Sequence, residues 1–398
     1  MDPIVVVGAG MAGGRAFDVL RKKSSAPVVL VGEEPLPPYN RPDLSKRCLL
    51  DGSDESRVLF HPVEHYSDDR TSFRAGTRAV RLEPDARRLT LDDGSELTYS
   101  TLLVATGGSP RRLPVPGADL PGIRYLRTLA DANALRKRLG EARRVVIVGA
   151  GMVGLEVAAA ARELGVEVTV VDVCHLPFAA LGPEIGHRVL NSHSERGVQF
   201  HLGTTVGAFS GEGNADRVVF SDGKKIDADL VVVGIGIEPS TGWLGPAVDG
   251  AGGTLAVDSF GRTSLPDVYA AGDVTRWLHP HFGEIHTEHE AVAQNHGMRV
   301  AGNIAGAAQP FTMIPYAWSD QYDHRLRTVG LASTSLSERQ VSVTRADGGI
   351  ATVFVREGEL VGAATLDWPV FTARLAKAMQ AALPLPFADS VVRELAAD

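Results

Sequence analysis

The stretch that decides the fold is V-V-V-G-A-G-M-A-G, at residues 5–13. It sets Gly8, Gly10 and Gly13 in the spacing G-x-G-x-x-G, directly after a strand-like run over residues 4–7. In a β-α-β unit that binds a dinucleotide, the first glycine permits a tight turn and the second lets a pyrophosphate approach the backbone. The third lets the helix pack closely on the strand, and the helix N-terminus then faces the phosphates.

The same pattern returns later in the chain, where residues 146–154 read V-I-V-G-A-G-M-V-G. Gly149, Gly151 and Gly154 repeat the spacing after a strand-like run over residues 145–148. The chain therefore predicts two dinucleotide-binding turns.

An acidic residue follows the second strand-like run of each half. Glu33 comes shortly after residues 28–31, and Asp172 ends the run 166–171. Each acid stands at the distance beyond its last turn glycine, about 20 residues, at which a carboxylate binds a ribose hydroxyl. Such a carboxylate also repels the 2′-phosphate of NADP. Since no Arg or Lys stands at residues 173–175, the second site is predicted to take NADH rather than NADPH.

A further repeat supports two domains of the same build. Each half carries an Asp-Gly hairpin and then an apolar run, at residues 93–105 and again at residues 222–233. Strands joined by helices predict parallel sheets with crossover helices. The predicted fold class is α/β, with two Rossmann-like dinucleotide-binding domains followed by a C-terminal α+β domain. Two dinucleotides in one chain indicate a flavin enzyme, in which one cofactor stays bound and the other comes and goes as the hydride donor.

Glycine and proline clusters predict the domain boundaries. Residues 107–117 are predicted to form a linker, and residues 234–239 the return crossing. The C-terminal region has three strand-like runs (341–343, 351–355 and 360–364) and then a helical pattern over residues 370–383. The predicted domains are a discontinuous flavin-binding domain at 1–109 and 234–309, an NAD-binding domain at 110–233 and a C-terminal domain at 310–398.

Composition excludes several other classes of protein. Apolar residues make up 44% of the 398, which is enough to form cores and argues against disorder. The formal net charge of −8 gives no support to a nucleic-acid binder. Two cysteines exclude a disulfide scaffold and suit a reducing compartment. With no membrane-length apolar window and no basic leader before residue 4, a cytoplasmic protein is expected.

Several runs resemble one family along essentially the whole chain. The family is that of the FAD-dependent, NADH-oxidising ferredoxin reductases, of the putidaredoxin reductase and biphenyl-dioxygenase ferredoxin reductase type, within the pyridine nucleotide-disulfide oxidoreductases. The matching runs are Y-N-R-P-D-L-S-K at 39–46, A-T-G at 105–107, L-R-T-L at 126–129, V-Y-A-A-G-D at 268–273, E-H at 288–289 and W-S-D-Q-Y at 318–322. The resemblance implies a glutathione-reductase-like arrangement and an NADH-dependent ferredoxin reductase with tightly bound FAD. An iron–sulfur ferredoxin, of the [2Fe–2S] or another type, would be the electron acceptor.

The resemblance also assigns roles to single residues. Lys46 and Glu156 would be the catalytic residues, as an ion pair beside flavin N5, whereas the plain alternative for both is solvated surface charge. Asp273 would accept hydrogen bonds from the ribityl chain, and Arg41 and Arg127 would line the FAD site. The cofactor-binding residues expected from the motifs and the resemblance together are Gly8, Gly10, Ala12, Gly13, Glu33, Arg41, Lys46, Ala79, Ala105, Thr106, Gly107, Arg127, Gly272, Asp273, Glu290 and Trp318 for FAD, and Gly149, Gly151, Met152, Val153, Gly154, Glu156, Asp172 and Gly236 for NADH.

Two predictions concern the flavin edge and the acceptor. Trp318 would cover an edge of the isoalloxazine ring, or else be an ordinary buried tryptophan. Arg325 and Arg327 would dock an acidic ferredoxin, or else occupy an exposed strand face. Glu290 departs from the family, since relatives often carry Trp or another uncharged residue there. Its carboxylate would disfavour an anionic reduced flavin, unless the side chain turns outward.

Other signals are set aside. Cys48 is predicted to be a packed structural cysteine, because the other cysteine, Cys174, is distant along the chain. Residues 279–296 are rich in histidine but lack zinc-ligand spacing, so no metal site is predicted there and the loop histidines around Pro280 are expected to face solvent. Two alternative functions remain: an apoptosis-inducing-factor-like NADH-sensing flavoprotein and an NADH oxidase.

Overall fold

The computed structural model describes residues 2–52, 55–245, 248, 250 and 253–397. Its contacts divide the chain into two compact units. The first unit comprises residues 1–42, 54–109 and 237–313, and the second comprises residues 43–53, 110–236 and 314–398. The three-domain boundaries given above stay a prediction.

The elements of the described part are numbered in chain order. The strands are β1 Ile4–Val7, β2 Val28–Val31, β3 Thr71–Arg74, β4 Ala79–Glu83, β5 Arg88–Leu91, β6 Glu96–Thr98, β7 Thr101–Val104, β8 Gly108–Pro110, β9 Ile123–Arg124, β10 Arg144–Val148, β11 Glu167–Asp172, β12 Val198–Leu202, β13 Val206–Ser210, β14 Arg217–Phe220, β15 Lys225–Asp227, β16 Leu230–Val233, β17 Ile237–Pro239, β18 Leu255–Val257, β19 Val268–Ala270, β20 Thr275–His279, β21 Gly283–Ile285, β22 Tyr316–Gln321, β23 His324–Gly330, β24 Arg339–Thr344, β25 Ile350–Arg356 and β26 Glu359–Leu366. The α-helices are α1 Met11–Lys23, α2 Arg47–Leu50, α3 Glu55–Val58, α4 Leu129–Glu141, α5 Met152–Glu163, α6 Pro183–Glu195, α7 Glu290–Ile304, α8 Pro369–Ala381 and α9 Asp389–Ala396. Short 3-10 helices include Arg41–Ser45, Val63–Tyr66 and Gly242–Leu244.

The first unit is built on a parallel sheet of order β19-β7-β1-β2-β3. Its central strands read I-V-V-V and V-V-L-V, continuous β-branched and leucine runs that suit a sheet covered on both faces. Helix α1 packs against α7 so closely that a Cβ on Gly297 would lie 2.2 Å from the carbonyl oxygen of Ala12. An antiparallel sheet, β4-β5-β6, contains the predicted first Asp-Gly hairpin.

The second unit repeats this build. Its parallel sheet has the order β12-β11-β10-β16-β9, and β10 pairs with β11 on one side and β16 on the other. The antiparallel sheet β13-β14-β15 contains the second Asp-Gly hairpin. Each glycine turn joins the central strand of a parallel sheet to the helix that follows, as the repeat predicts.

The second unit also holds an antiparallel sheet of order β22-β23-β26-β25-β24, with α8 packed on β23 and β26. Strands β24, β25 and β26 and helix α8 lie where the sequence predicted three strands and a helix. Strands β22 and β23 and helix α9 were not predicted from the apolar pattern. Within the described residues, no helix is long and apolar enough to cross a membrane.

Candidate functional site

The first glycine turn has the geometry that its sequence predicts. Gly8 has φ +111°, and a Cβ there would lie 2.2 Å from the carbonyl oxygen of Ala105. A Cβ on Gly13 would lie 1.8 Å from the carbonyl oxygen of Gly8, so neither position admits a side chain. Gly10, the N-cap of α1, is different, because the nearest atom to a Cβ there is Arg41 Nε at 3.7 Å. The middle glycine therefore leaves the helix N-terminus open to an anion.

The second turn reproduces this geometry in the other unit. Gly149 has φ +113°, and its Cβ would lie 2.2 Å from the carbonyl oxygen of Gly234. A Cβ on Gly154 would lie 2.0 Å from the carbonyl oxygen of Gly149. At Gly151, a Cβ would meet nothing within 4 Å. In both turns, the outer glycines are needed for packing and the middle one leaves space for a ligand.

The two predicted ribose acids stand in different surroundings. Glu33 is largely exposed, with its side chain 3.7 Å from an Arg78 guanidinium nitrogen. Asp172 accepts hydrogen bonds from the backbone N–H groups of Ala150, at 2.6 Å, and Cys174, at 2.7 Å. Its carboxylate thus also holds the turn in shape. Glu33 follows β2 and Asp172 ends β11, and each of these strands pairs in parallel with the strand that leads into the glycine turn.

Arg41 belongs to a charged network that the sequence did not reveal. Its guanidinium donates to Glu34 Oε1 at 2.6 Å and to the hydroxyl of Tyr39 at 3.2 Å. The Tyr39 hydroxyl donates in turn to Glu34 Oε2 at 2.6 Å. Burial acts to lower the pKa of Arg41, but the charges of Tyr39, Glu34 and Asp273 outweigh it and raise the pKa overall. Arg41 is therefore a fixed cation next to Gly10, which suits a diphosphate.

Lys46 and Glu156 form an ion pair, with Lys46 Nζ 3.1 Å from Glu156 Oε1. Glu156 is only 7% exposed, so it is not solvated surface charge. Ser45 donates a short hydrogen bond to its Oε2, and Ser319 donates to its Oε1 at 2.5 Å. A carboxylate with three such donors is held in one orientation. Whether the pair lies beside flavin N5 stays a prediction.

Both serines were missed at the level of sequence, although each lies inside a run that carries the family resemblance. The network continues through Gln321, which donates to Ser319 Oγ at 3.1 Å and contacts His193 Nε2 at 2.9 Å. Burial lowers the pKa of His193 to about 4, so this histidine is neutral near pH 7. The Glu156 carboxylate is thus the charged end of a buried polar chain.

The turn that carries Asp273 is held by a buried histidine. The backbone N–H of Gly272 donates to His296 Nδ1 at 3.3 Å. The imidazole stacks on Phe311 with ring centroids 4.5 Å apart, and burial lowers the pKa of His296 to about 3. His279 is also buried, and its Nδ1 accepts from two backbone N–H groups. The expectation of solvent-facing loop histidines around Pro280 was therefore wrong for His279, because turn amides require buried acceptors.

Glu290 begins α7 and turns along its own helix. Gln294, one turn later, donates a short hydrogen bond to Glu290 Oε1, and Arg15 of α1 donates to Gln294 at 3.0 Å. Glu290, the residue that departs from the family pattern, is thus linked to the Arg15 cation through the Gln294 amide, where α1 and α7 pack together. These contacts reduce the effect that the Glu290 carboxylate would have on an anionic reduced flavin.

Trp318 and the two candidate docking arginines lie on one hairpin. Strands β22 and β23 place Trp318 opposite Arg327 and Asp320 opposite Arg325. Arg327 is bonded to Asp320 at 2.6 Å with its side chain only 16% exposed, whereas Arg325 is exposed. Of the two arginines, Arg325 is the one available to a partner.

The remaining predicted residues fall at turns and element ends. Thr106 donates to the backbone oxygen of Ser240 at 2.8 Å, and Gly107 and Gly236 have positive φ. Ala12, Ala79 and Ala105 are buried, so they can offer backbone and a methyl face only. Arg127 lies just before α4, and its backbone N–H donates to the Asp131 carboxylate. Met152 and Val153 are the first two residues of α5.

Both units fit a dinucleotide. Each has a helix N-terminus without a side-chain cap, a middle glycine whose Cβ position is open and an acid after the second strand. The first unit adds the Arg41 cation and the Asp273 turn. These donor sets suit a diphosphate flanked by ribose hydroxyls, as in FAD and NADH.

Comparison with known proteins gives a consistent result. A family model described as "Pyridine nucleotide-disulphide oxidoreductase" matches residues 2–297, and one described as "Reductase C-terminal" matches residues 316–391. The ferredoxin–NAD(+) reductase component of the anthranilate 1,2-dioxygenase system of Burkholderia cepacia is 38% identical, over 92% of this chain and 91% of that protein. The ferredoxin reductase for the CYP199A2 system from Rhodopseudomonas palustris superposes with a TM-score of 0.90 at 32% identity and covers both chains fully.

A crystal structure of a covalent putidaredoxin reductase–putidaredoxin complex also matches, with a TM-score of 0.91 at 27% identity, over 99% of this chain and 98% of that chain. These findings confirm the predicted α/β fold class and an oxidoreductase that uses FAD and NADH. The chain belongs to the pyridine nucleotide-disulphide oxidoreductase family and carries the reductase C-terminal domain.

Proposed function

We propose that this chain is an NADH-dependent ferredoxin reductase that serves a monooxygenase, a cytochrome P450 or a dioxygenase. The observation that carries the proposal is the duplicated glycine turn, which gives each unit its own dinucleotide cradle. The named relatives are reductases of dioxygenase and P450 systems, which supports a ferredoxin as the acceptor. Bound FAD supplies the chemistry that couples two-electron oxidation of NADH to one-electron reduction of an iron–sulfur protein.

The chain's own residues bind and orient the nucleotides. The backbone N–H groups at the start of α5 bind the NADH pyrophosphate next to Gly151, and Asp172 binds the adenosine ribose. Glu33 and Arg41 do the corresponding work for FAD in the first unit.

Glu156 and Lys46 are the proposed catalytic pair. Positive charge develops on the nicotinamide ring as NADH is oxidised, and a carboxylate near that ring stabilises it. Because Ser45, Lys46 and Ser319 already hold Glu156, its carboxylate needs no reorganisation during the reaction. The two serines therefore act as positioning residues for Glu156.

The acceptor is proposed to dock on the β22–β23 hairpin. Trp318 supplies an aromatic surface and Arg325 an exposed cation, and opposite charge on an acidic ferredoxin steers the encounter. The chain has only two cysteines, which favours a cytoplasmic location for the protein.

The thiol chemistry of an NADH oxidase receives no support from Cys48. This cysteine is 2% exposed, and burial raises the pKa of its thiol. A buried thiol with a raised pKa is a poor nucleophile. The hydrogen bond from Gln294 to Glu290 also weakens the electrostatic reason for favouring an NADH sensor with slow turnover.

The first test is anaerobic mixing of the FAD-loaded protein with NADH, followed at the visible flavin band. Complete bleaching within milliseconds to seconds is expected, with NADPH much slower. Glu156→Gln should slow bleaching while the FAD content stays that of the wild type. The proposal would be refuted if the protein bound no flavin, or if its flavin stayed oxidised after NADH was added.

The second test addresses docking, with putidaredoxin as the [2Fe–2S] probe. Arg325→Ala should raise the KM for putidaredoxin in a salt-dependent way, and it should leave ferricyanide reduction by NADH unchanged. Arg339→Ala is the matched control, since Arg339 is exposed on β24 at the other edge of the same sheet. Equal effects of the two variants would rule out the hairpin as the docking surface.

A further inference from the structure

Three side chains of the first unit converge outside the residues assigned to the cofactors. Asp18 lies on α1, His61 precedes the 3-10 helix Val63–Tyr66, and His65 lies within that helix. His65 Nε2 is 2.8 Å from Asp18 Oδ1, and His61 Nε2 is 3.1 Å from Asp18 Oδ2. The three atoms that could bind a metal ion all lie within 4.8 Å of one another. In the part of the chain that the structure describes, only this group of His, Cys, Asp or Glu side chains has such an arrangement.

The donor types select a class of ion. Two imidazole nitrogens and one carboxylate oxygen suit zinc and the neighbouring divalent transition metals, whereas magnesium and calcium prefer oxygen donors alone. Zinc bonds of about 2.0–2.1 Å in a tetrahedral site separate neighbouring donor atoms by about 3.4 Å. The two nitrogen–oxygen separations found here are shorter by a few tenths of an ångström, so small side-chain rotations would admit an ion.

The plain alternative is that each imidazole simply donates an N–H to the carboxylate. The packing of the rings argues for more than that. His61 and His65 stack with centroids 3.9 Å apart and planes at 26°, and the same ring nitrogen of each points at one carboxylate. One divalent ion could bind both of these ring nitrogens and a carboxylate oxygen at the same time.

The cluster is also preorganised and accessible. Asp18 follows Phe17, which is fully buried and packs edge-on against the His65 ring, and Tyr66 also packs edge-on against that ring. The side chains of His61, His65 and Asp18 are 34%, 19% and 13% exposed, which leaves an entry path and room for water ligands. Arg15 Nη1 lies 3.8 Å from Asp18 Oδ2, and the same guanidinium also contacts the Phe60 ring and donates to Gln294.

We propose that Asp18, His61 and His65 bind one divalent transition-metal ion of the zinc class, with water completing its coordination. The bound ion joins the segment 61–66 to helix α1, the helix that begins at the first glycine turn. It is a three-ligand site that retains an open position. No metal was predicted from sequence, because only the histidines of residues 279–296 were considered as ligands there.

The test uses tag-free, FAD-loaded protein stripped with a chelator and titrated with zinc chloride in a calorimeter. One equivalent should bind, and His61→Ala and His65→Ala should each weaken the affinity by at least about tenfold. His187→Ala is the matched control, because His187 is exposed on α6, and it should bind as the wild type does. Cobalt chloride should give visible d–d bands without the thiolate charge-transfer band that binding at the exposed Cys174 would produce.

A second readout guards against variants that fold poorly. In the wild-type protein, zinc should raise the thermal midpoint and protect His61 and His65 from diethyl pyrocarbonate, as read by mass spectrometry. Asp18→Asn and His65→Gln, which keep the side-chain size, should abolish the rise. Zinc binding of equal affinity in these variants, or no protection of the two histidines at saturating zinc, would overturn the proposal. Because neither readout uses NADH, the outcome is independent of the reductase function.

Discussion

Alanine substitutions at Gly151 and Gly154 should separate nucleotide binding from folding. At Gly151, the N-cap of α5, a Cβ meets nothing within 4 Å, so the cost to stability should stay below about 1 kcal/mol. At Gly154, inside the helix, alanine gains about 1 kcal/mol of helix propensity. Its Cβ, however, would lie 2.0 Å from the carbonyl oxygen of Gly149. Since rigid backbone must move, overpacking should cost about 3 kcal/mol, and the clash wins by about 2 kcal/mol.

The assays are thermal unfolding with excess FAD and the KM for NADH with ferricyanide as acceptor. Gly154→Ala should lower Tm by about 4–8 °C, at roughly 2–4 °C per kcal/mol. Gly151→Ala should keep Tm and FAD content but raise the NADH KM about tenfold, since the new methyl group takes the space of the pyrophosphate and costs about 1.4 kcal/mol of binding. Gly140→Ala is the matched control, because its Cβ also meets nothing within 4 Å, on α4 of the same unit. It should leave the NADH KM unchanged and, since alanine gains about 1 kcal/mol of helix propensity there, hold Tm at or above the wild-type value. The reasoning fails if Gly151→Ala binds NADH normally or Gly154→Ala is as stable as the wild type.

Two further predictions follow from buried titratable groups. The pKa values of His193 and His296, about 4 and about 3 in the folded protein, lie below the value of about 6.5 in an unfolded chain, so the unfolded state binds protons first as the pH falls. The free energy of unfolding should therefore fall below pH 6.5, by up to about 1.4 kcal/mol per pH unit for each histidine. When it is measured by urea unfolding at several pH values, its slope against pH should be smaller by that amount in His193→Gln. An unchanged slope would contradict the assignment. A disulfide reagent should modify the exposed Cys174 in the native protein and reach Cys48 only after unfolding, because burial raises the pKa of Cys48 and shields it. Rapid labelling of two thiols in the native state would show that the burial of Cys48 is wrong.

Local sequence determined much of the fold. Gly8 and Gly149 take positive φ, a conformation that glycine alone adopts at little cost, and the apolar runs before them form strands in the middle of parallel sheets. Because the same motif returns at residues 146–154, the sequence also implied that the parallel sheet is duplicated. These features were predictable because each depends on backbone conformation and hydrophobicity within a few residues.

Pairing between distant residues was decided by the tertiary structure. The hydrogen bonds of Ser45 and Ser319 to Glu156 join residues 111 and 163 positions apart, and no local pattern records such a pairing. His296 and His279 are buried because turn amides need acceptors, a requirement that is visible only once the turns have formed. The meeting of Asp18 with two histidines 43 and 47 positions away likewise depends on which helix face a later segment reaches. Sequence alone thus determined the central strands and the glycine turns of the two parallel sheets, whereas the tertiary structure decided which polar side chains meet, because such contacts depend on packing between segments distant along the chain.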